Sequence, residues 1–267
     1  MHPTPPKKHL LSLPNELLLH VGRLILRIAR PHDLNSLTLT NRHLHALLTR
    51  FVLHWSAIQN RPETAARALA AGADPNRTSK RLGNIPPLFH AASKKHTRVA
   101  EVLLAAPGVD PNASTPERFT ALMLATLGGH NDMVSAFFAA PGIDVNRRTE
   151  HARGSGRVGV VGETALAIAV GRRHVGTVRL LLAADAVEVD IRNSFGETPL
   201  RIAAEDGYDE VVSMLLEAGA DPTSRDAACI TPLTAAAANG HVGIVRLILA
   251  TGRIGLEDKL VALAAAE

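Results

Sequence analysis

The stretch that decides the fold is Thr198–Ser224, TPLRIAAEDGYDEVVSMLLEAGADPTS, together with Thr231–Glu257, TPLTAAAANGHVGIVRLILATGRIGLE. The two stretches align without a gap and begin 33 residues apart. Weaker copies of the same pattern begin at Pro86, Thr120 and Thr164. A unit that recurs at such a period predicts a repeat protein, in which every unit packs on its neighbours.

Each unit carries signals for two short helices. A Thr or Pro opens the first helix, where a hydroxyl can cap the helix and a Pro is tolerated in the first turn. Gly129, Gly207 and Gly240 end that helix, at a position that favours a left-handed backbone. Lys95 and Arg173 stand where the glycine is expected, so we predict strained or shortened turns there. A leucine follows the opening of each unit at an equivalent position: Leu88, Leu122, Leu166, Leu200 and Leu233.

This pattern resembles the ankyrin repeat, whose unit carries T-P-L-H-x-A. The resemblance covers about residues 54–258 and implies an all-α solenoid with short hairpin loops. We expect about six repeats over residues 56–258, of which the first is degenerate, with an insertion at 147–162. A C-terminal capping helix is expected at 259–267; the alternative is that the tail from Leu256 is a repeat unit cut short. The histidine of T-P-L-H is absent from every unit.

The first sixty residues have a different character. They hold seven Lys or Arg against two Asp or Glu, whereas the remainder is nearly neutral. After residues 1–10, for which we predict disorder, residues 11–55 show apolar positions at helical spacing. Pro14 suits a helix start, Asp33 can cap a second helix and Asn41 can open a third. A compact three-helix unit is expected.

That unit is similar to the F-box, whose pattern contains L-P-x-E-L, D-L-x-x-L, a polar–basic pair and spaced leucines. The resemblance implies docking to the Skp subunit of a Skp–cullin–F-box ubiquitin ligase, and an acidic adaptor would suit the basic N-terminus. The alternative is a helical cap that closes the repeat stack. The residues implied in Skp docking are Leu13, Pro14, Glu16, Leu17, Leu18, Leu34, Leu37, Asn41, Arg42, Leu47 and Leu48.

Several classes of chemistry are disfavoured. The single cysteine, Cys229, excludes an intramolecular disulfide and a cysteine-based zinc module. His96, His130, His174 and His241 recur at one repeat position, so they are not expected to converge on a metal. The glycines in the insertion lack the strand and helix that a dinucleotide site needs. We therefore predict no catalytic residue, metal or cofactor.

Partner classes and compartment can also be narrowed. Aromatic residues make up only 3% of the chain, which is too few to stack single-stranded nucleic acid. The apolar stretch near the start contains charges and a proline, so it predicts neither a membrane span nor a signal peptide. We expect an intracellular protein of the cytoplasm or nucleus, without nucleic-acid or membrane binding.

The expected function is that of an F-box substrate receptor, with an unidentified protein substrate bound by the repeats. The alternative is an ankyrin-repeat scaffold or regulatory binding protein with no role in ubiquitin transfer. The resemblance implies that partners meet the hairpin tips and the exposed end of the first helix of each repeat. The candidate substrate-binding residues are Ser93, Lys94, Leu127, Gly128, Gly171, Arg172, Glu205, Asp206, Ala238 and Asn239.

Overall fold

The computed structural model describes residues 51–78, 84–115, 118–150 and 161–265. These residues form short helices joined by turns and hairpin loops, and residues 51–58 are helical. Within the described ranges, no helix is both long enough and apolar enough to cross a bilayer. The helices labelled α1 to α12 span, in order, Pro62–Ala70, Pro87–Ser93, Thr97–Leu104, Ala121–Leu127, Asn131–Phe138, Ala165–Gly171, Val175–Leu182, Pro199–Glu205, Asp209–Glu217, Pro232–Ala238, Val242–Ala250 and Leu256–Ala265.

The helices form two adjacent columns. The even-numbered helices from α2 to α12 pack each on the next, and so do the odd-numbered helices from α1 to α11. Each even-numbered helix from α2 to α10 also packs on the odd-numbered helix that follows it in the chain. Each repeat is therefore one helix pair, and the stack is the predicted all-helical ankyrin-type solenoid.

Threonine side chains begin four of the first helices, as predicted. Thr120, Thr164, Thr198 and Thr231 each accept a hydrogen bond from the backbone N–H three residues later, at 3.2–3.3 Å. These bonds satisfy one of the N–H groups that have no partner in the first turn of a helix. The start of each first helix is therefore set by local chemistry.

The turn between the two helices of a repeat has a left-handed residue. Gly129 has a φ of 65°, and the residues at the same position in two other repeats, Lys95 and Arg173, have φ values of 61° and 55°. The backbone strain predicted for Lys95 and Arg173 is thus present, because positive φ is unfavourable for a residue with a Cβ. These turns are not shortened, since three residues separate α2 from α3 and α6 from α7, as they separate α4 from α5.

The core lies between successive repeats. Leu122, Leu166 and Leu200 from the first helices are almost completely buried, and so are Val178 and Leu215 from the second helices. Small alanines beside these leucines let neighbouring helices approach closely. No repeat buries these side chains by itself, so stability depends on the neighbouring repeats.

The loops after the second helices are joined by amide side chains. The Nδ2 of Asn112 donates to the carbonyl oxygen of Gly142 at 2.8 Å, and its Oδ1 accepts the backbone N–H of Asp144 at 2.8 Å. Asn76 and Asn146 make equivalent pairs of bonds to the next repeat. These bonds set the spacing of the loops from repeat to repeat.

Both ends of the stack differ from the expected domain bounds. The helical residues 51–58 lie beside α2, where the ring of His54 is 5.8 Å from the ring of His90, so the expected boundary between residues 55 and 56 falls inside this segment. At the other end, α12 begins at Leu256, earlier than the expected cap at 259–267, and packs on α10. The expected N-terminal unit lies almost entirely outside the described residues, as does most of the expected insertion.

Candidate protein-binding surface

The ten candidate substrate-binding residues occupy one equivalent place in five consecutive repeats. In each repeat, the pair consists of the last residue of the first helix and the residue that caps its C-terminus. Nine of these ten residues are exposed, and the tenth, Leu127, is half-buried. Because the first helices pack side by side, these pairs form a row, which we call the helix-end surface.

The helix-end surface changes the sign of its charge along the stack. Lys94 and Arg172 are exposed cations of the earlier repeats, whereas Glu205 and Asp206 are exposed anions of a later repeat. Burial, and then the charge of Glu205, raise the pKa of Asp206 above its ordinary value. The surface therefore offers a basic part and an acidic part to a partner.

Charged and titratable side chains near this surface also interact with one another inside the stack. The guanidinium carbon of Arg173 lies 5.2 Å from the centre of the Tyr208 ring in the next repeat, a cation–π contact. Burial lowers the pKa of His130, and the nearby charges of Lys95 and His174 lower it further. The charge of Lys94 acts to lower the pKa of His90 and that of Arg172 acts to lower the pKa of Glu163, but neither side chain makes a described hydrogen bond, ion pair or ring contact, so these two are the better positions for testing binding.

Recurring histidines hold the helix-end surface in place. The Nε2 of His174 lies 3.1 Å from the carbonyl oxygen of Leu127, and the Nε2 of His241 lies 2.9 Å from that of Glu205. His96 makes the equivalent contact with Ile58. Each ring therefore joins the helix end of the preceding repeat, where it can donate its N–H to the carbonyl.

A buried ion cluster was not foreseen from the sequence. Arg201 stands at the position of the histidine in T-P-L-H, and its side chain is only 7% exposed. It contacts the carboxylates of Glu205, of Glu197 at 3.6 Å and of Asp226 at 3.1 Å. Burial acts to lower the pKa of Arg201, but these carboxylates outweigh that effect and raise it. The spacing Glu197, Arg201, Glu205 was the available signal, because residues four apart meet on a helix.

The hairpin side of the stack holds a second group of functional candidates. Phe195, which the sequence reasoning did not single out, is 67% exposed. Cys229 is exposed and has a φ of 62°, close to the 75° of Gly196 at the equivalent position. This equivalence indicates a structural role for Cys229 in the turn. In the described ranges, no group of three His, Cys, Asp or Glu side chains is arranged to hold a metal ion.

The residues implied in Skp docking all lie between residues 13 and 48, outside the described residues. The Skp-docking surface therefore remains a prediction from the sequence. The polar–basic pair Asn41 and Arg42 and the Leu13-Pro14 start remain predictions from the sequence.

Comparison with family models places repeats along most of the chain. A model described as "Ankyrin repeats (3 copies)" matches residues 53–149 and 152–226, and a model described as "Ankyrin repeat" matches residues 230–259. The matched stretch begins at Leu53, and no F-box domain is detected. The F-box part of the sequence interpretation therefore lacks support from this comparison.

Curated relatives share only part of their length with this chain. "Ankyrin repeat domain-containing protein 63" of Homo sapiens is 36% identical over 100 residues, which cover 36% of this chain and 26% of that protein. "Ankyrin repeat and KH domain-containing protein mask-1" of Caenorhabditis elegans is 44% identical over 33% of this chain and 3% of that protein. "Probable E3 ubiquitin-protein ligase XBOS32" of Oryza sativa is 29% identical over 66% of this chain and 32% of that protein.

Solved structures agree with the fold. An ankyrin repeat domain from Acinetobacter baumannii superposes with a TM-score of 0.67 at 28% identity, covering 75% of this chain and 97% of that one. The ankyrin repeat domain of Bcl-3 superposes with a TM-score of 0.66 at 24% identity, covering 76% of this chain and 86% of that one. The second likeness concerns the fold alone.

Proposed function

The chain belongs to the ankyrin-repeat family, whose members are typically non-catalytic binding proteins, and we propose that it is an adaptor that holds a protein partner on its helix-end surface. The observation that carries this proposal is the row of exposed helix ends in five consecutive repeats. A rigid row whose charge changes sign favours a partner with a complementary two-part charge pattern.

A charge-reversal experiment tests the adaptor function. The full chain and a Lys94→Glu, Arg172→Glu variant are used to capture proteins, which are quantified by mass spectrometry. The matched control is Arg98→Glu, Arg246→Glu, which makes the same charge change at exposed positions on the second helices α3 and α11. We expect specific partners to be lost from the first variant and kept by the control. Equal retention by both variants would exclude the helix-end surface as the binding site.

A second, finer proposal is that the adaptor is the F-box substrate receptor of a Skp–cullin–F-box ubiquitin ligase. It is supported by the Leu13-Pro14-x-Glu16-Leu17 pattern and by the basic balance of the first sixty residues. Partial similarity to a probable E3 ubiquitin-protein ligase of rice adds to it. In this role the chain supplies no reacting group and acts by bringing a substrate close to the transfer machinery.

Co-purification with the Skp subunit tests this second proposal. We expect the wild-type chain to bind, and a Leu13→Asp, Pro14→Ala variant to lose binding while circular dichroism shows an unchanged helix content. The Lys94→Glu, Arg172→Glu variant is the control, because it should keep Skp and lose only the substrate. Failure of the wild-type chain to bind Skp would leave the N-terminal segment as a helical cap and the protein as a plain ankyrin-repeat binder.

A further inference from the structure

Hairpins precede the first helices of three consecutive repeats. One consists of residues 148–150 and 161–163, and the next two are residues 193–197 and 226–230. The backbone N–H of Ser194 donates to the carbonyl of Val161 at 3.2 Å, and that of Ala227 donates to the carbonyl of Phe195 at 3.0 Å. These bonds fix the hairpins relative to one another, so any site between them is preformed.

A cavity of about 750 Å³ opens at the first of these hairpins. Its walls include three arginines, Arg118, Arg147 and Arg148, and two carboxylates, Asp144 and Glu150. Arg118 and Glu150 neutralise each other through an ion pair of 3.1 Å, and Asp144 accepts the backbone N–H of Asn146 at 3.1 Å. The cavity therefore has a polar and mainly basic wall, with a volume typical of ligand sites.

Three guanidinium groups at these hairpins have no carboxylate partner among the described residues. Arg148 donates its Nε to the carbonyl of Gly162 at 3.1 Å, and Arg192 donates to the carbonyls of Gly196 and Arg225. Arg147 forms no ion pair with a described residue. Hydrogen bonds to carbonyls orient the two side chains without neutralising them. The charge of Arg192 also acts to lower the pKa of Asp190 and of Asp221, so the charges available to an external anion are those of Arg147 and Arg148.

The nearby carboxyl groups do little to cancel this charge. Burial, and then the charge of Glu197, raise the pKa of Glu163 to about 7, so that it is partly protonated at neutral pH. Glu197 is held by Arg201 at 3.6 Å. The neighbouring insertion, residues 151–160, contributes two arginines and no carboxylate to the sequence. Its own charge therefore does not complement the basic wall.

An exposed aromatic residue follows one of the cavity residues in the chain. Phe195 is 67% exposed, although its backbone is fixed by a bond from its N–H to Oδ1 of Asn193 at 2.9 Å and by the bond from Ala227. Ser194, the residue before it, lines the cavity. Rigid aromatic residues next to arginines are the composition typical of binding hot spots.

We propose that the cavity and Phe195 together form a docking site for an acidic, extended segment of a partner protein, with an apolar side chain of that segment packed on Phe195. Discrete carboxylates of a peptide can pair with Arg147 and Arg148 while avoiding Asp144. A nucleic acid fits less well, because its continuous phosphate charge would face the wall carboxylates, and among the described residues Phe195 is the only large exposed aromatic side chain available for stacking.

The site is tested with a defined probe, the fluorescein-labelled peptide EDEDLFEDED, by fluorescence anisotropy with the full chain. We expect saturable binding that weakens about tenfold in Phe195→Ser and about tenfold or more in Arg147→Glu. Arg147 is chosen because no described hydrogen bond or ion pair of the fold depends on it. The comparison peptide EDEDSSEDED, which lacks the apolar pair, should bind about tenfold more weakly than the first peptide.

Two controls separate this site from general charge attraction and from the helix-end surface. Two double variants, Arg98→Glu with Arg246→Glu and Lys94→Glu with Arg172→Glu, should both bind the peptide within about twofold of wild type, since none of these four residues lines the cavity. Absence of binding to the wild-type chain, or equal weakening by every charge reversal, would overturn the proposal. Tighter binding of a single-stranded oligonucleotide than of the peptide would also overturn it. The helix-end proposal is tested independently, because neither Lys94 nor Arg172 lines the cavity.

Discussion

Replacing Arg201 by Met tests whether the buried ion cluster joins the repeats that contain α8 and α10. The guanidinium contacts Asp226, whose side chain is only 5% exposed, and this carboxylate comes from the hairpin of the following repeat. Met keeps much of the volume of Arg201 and removes the charge. The carboxylate of Asp226 then remains buried without its cation.

The expected loss follows from the surroundings of Asp226. Removing one partner of a buried ion pair typically costs about 3–5 kcal/mol. Asp226 keeps two backbone N–H bonds, from Ala228 and Ile230 at 2.9 Å each, and these continue to stabilise its charge. We therefore expect the lower end of that range, about 3 kcal/mol. Glu205, which is 45% exposed, contributes less than about 1 kcal/mol through its exposed pair.

The assay is urea denaturation followed by far-ultraviolet circular dichroism on wild type, Arg201→Met, Asp226→Asn and the double variant. Because Asp226→Asn removes the charge that Arg201→Met leaves unpaired, the double variant should recover about 2 kcal/mol relative to the sum of the single losses. The control is Arg179→Met, which breaks an exposed pair with Glu210 at the same distance of 3.1 Å and should cost under about 0.5 kcal/mol. Additive losses, or a loss below about 1 kcal/mol for Arg201→Met, would refute the reasoning.

Three further predictions concern other parts of the stack. Burial raises the folded-state pKa of Glu163 to about 7 from 4.5, so the folded chain loses stability as the pH rises between these values. Glu163→Gln should therefore be about 1 kcal/mol more stable than wild type at about pH 8 and equal to it near pH 4. Thermal melts that give the same difference at both pH values would contradict this. Arg225→Ala removes the 2.6 Å ion pair with Asp258. Amide hydrogen exchange in α12 should therefore accelerate about tenfold, while exchange in α10 stays the same. Unchanged exchange in α12 would show that the ion pair does not stabilise this helix. Lys95→Gly relieves a positive φ and should raise the free energy of unfolding by about 0.5–1 kcal/mol. Arg173→Gly also loses the contact with Tyr208, so its free energy of unfolding should be close to that of wild type. Urea titrations of both variants test this, and a lower free energy of unfolding for Lys95→Gly would contradict it.

The fold could be predicted from the sequence because its signals are local. The bond from the Met123 N–H to Thr120 spans three residues, and the left-handed position of Gly129 depends on its own missing Cβ. Both signals occur together in the repeats that begin at Thr120, Thr198 and Thr231, so each of these repeats supports the interpretation of the others. The helix-end surface could be predicted for the same reason, since it lies at one fixed position of the unit.

The ion cluster and the hairpin site could not be predicted in the same way. Asp226 lies 25 residues after Arg201, and the two meet only because consecutive hairpins stand in register. The exposure of Phe195 likewise depends on how its hairpin packs on Val161 and Ala227. The repeat pattern describes the residues that all units share, whereas these contacts depend on side chains that only one unit has.

Lys95 and Arg173 show how a departure from the repeat pattern can be interpreted. Both hold a left-handed backbone that glycine would adopt at lower cost. Arg173 offsets that cost through its contact with the Tyr208 ring of the next repeat, so its side chain has a role in folding. The side chain of Lys95 is exposed and makes no described hydrogen bond, ion pair or ring contact that would offset the same cost. If Lys95→Gly proves more stable, then Lys95 lowers the stability of the fold. Such a cost is expected for a side chain that contacts a binding partner at the helix-end surface.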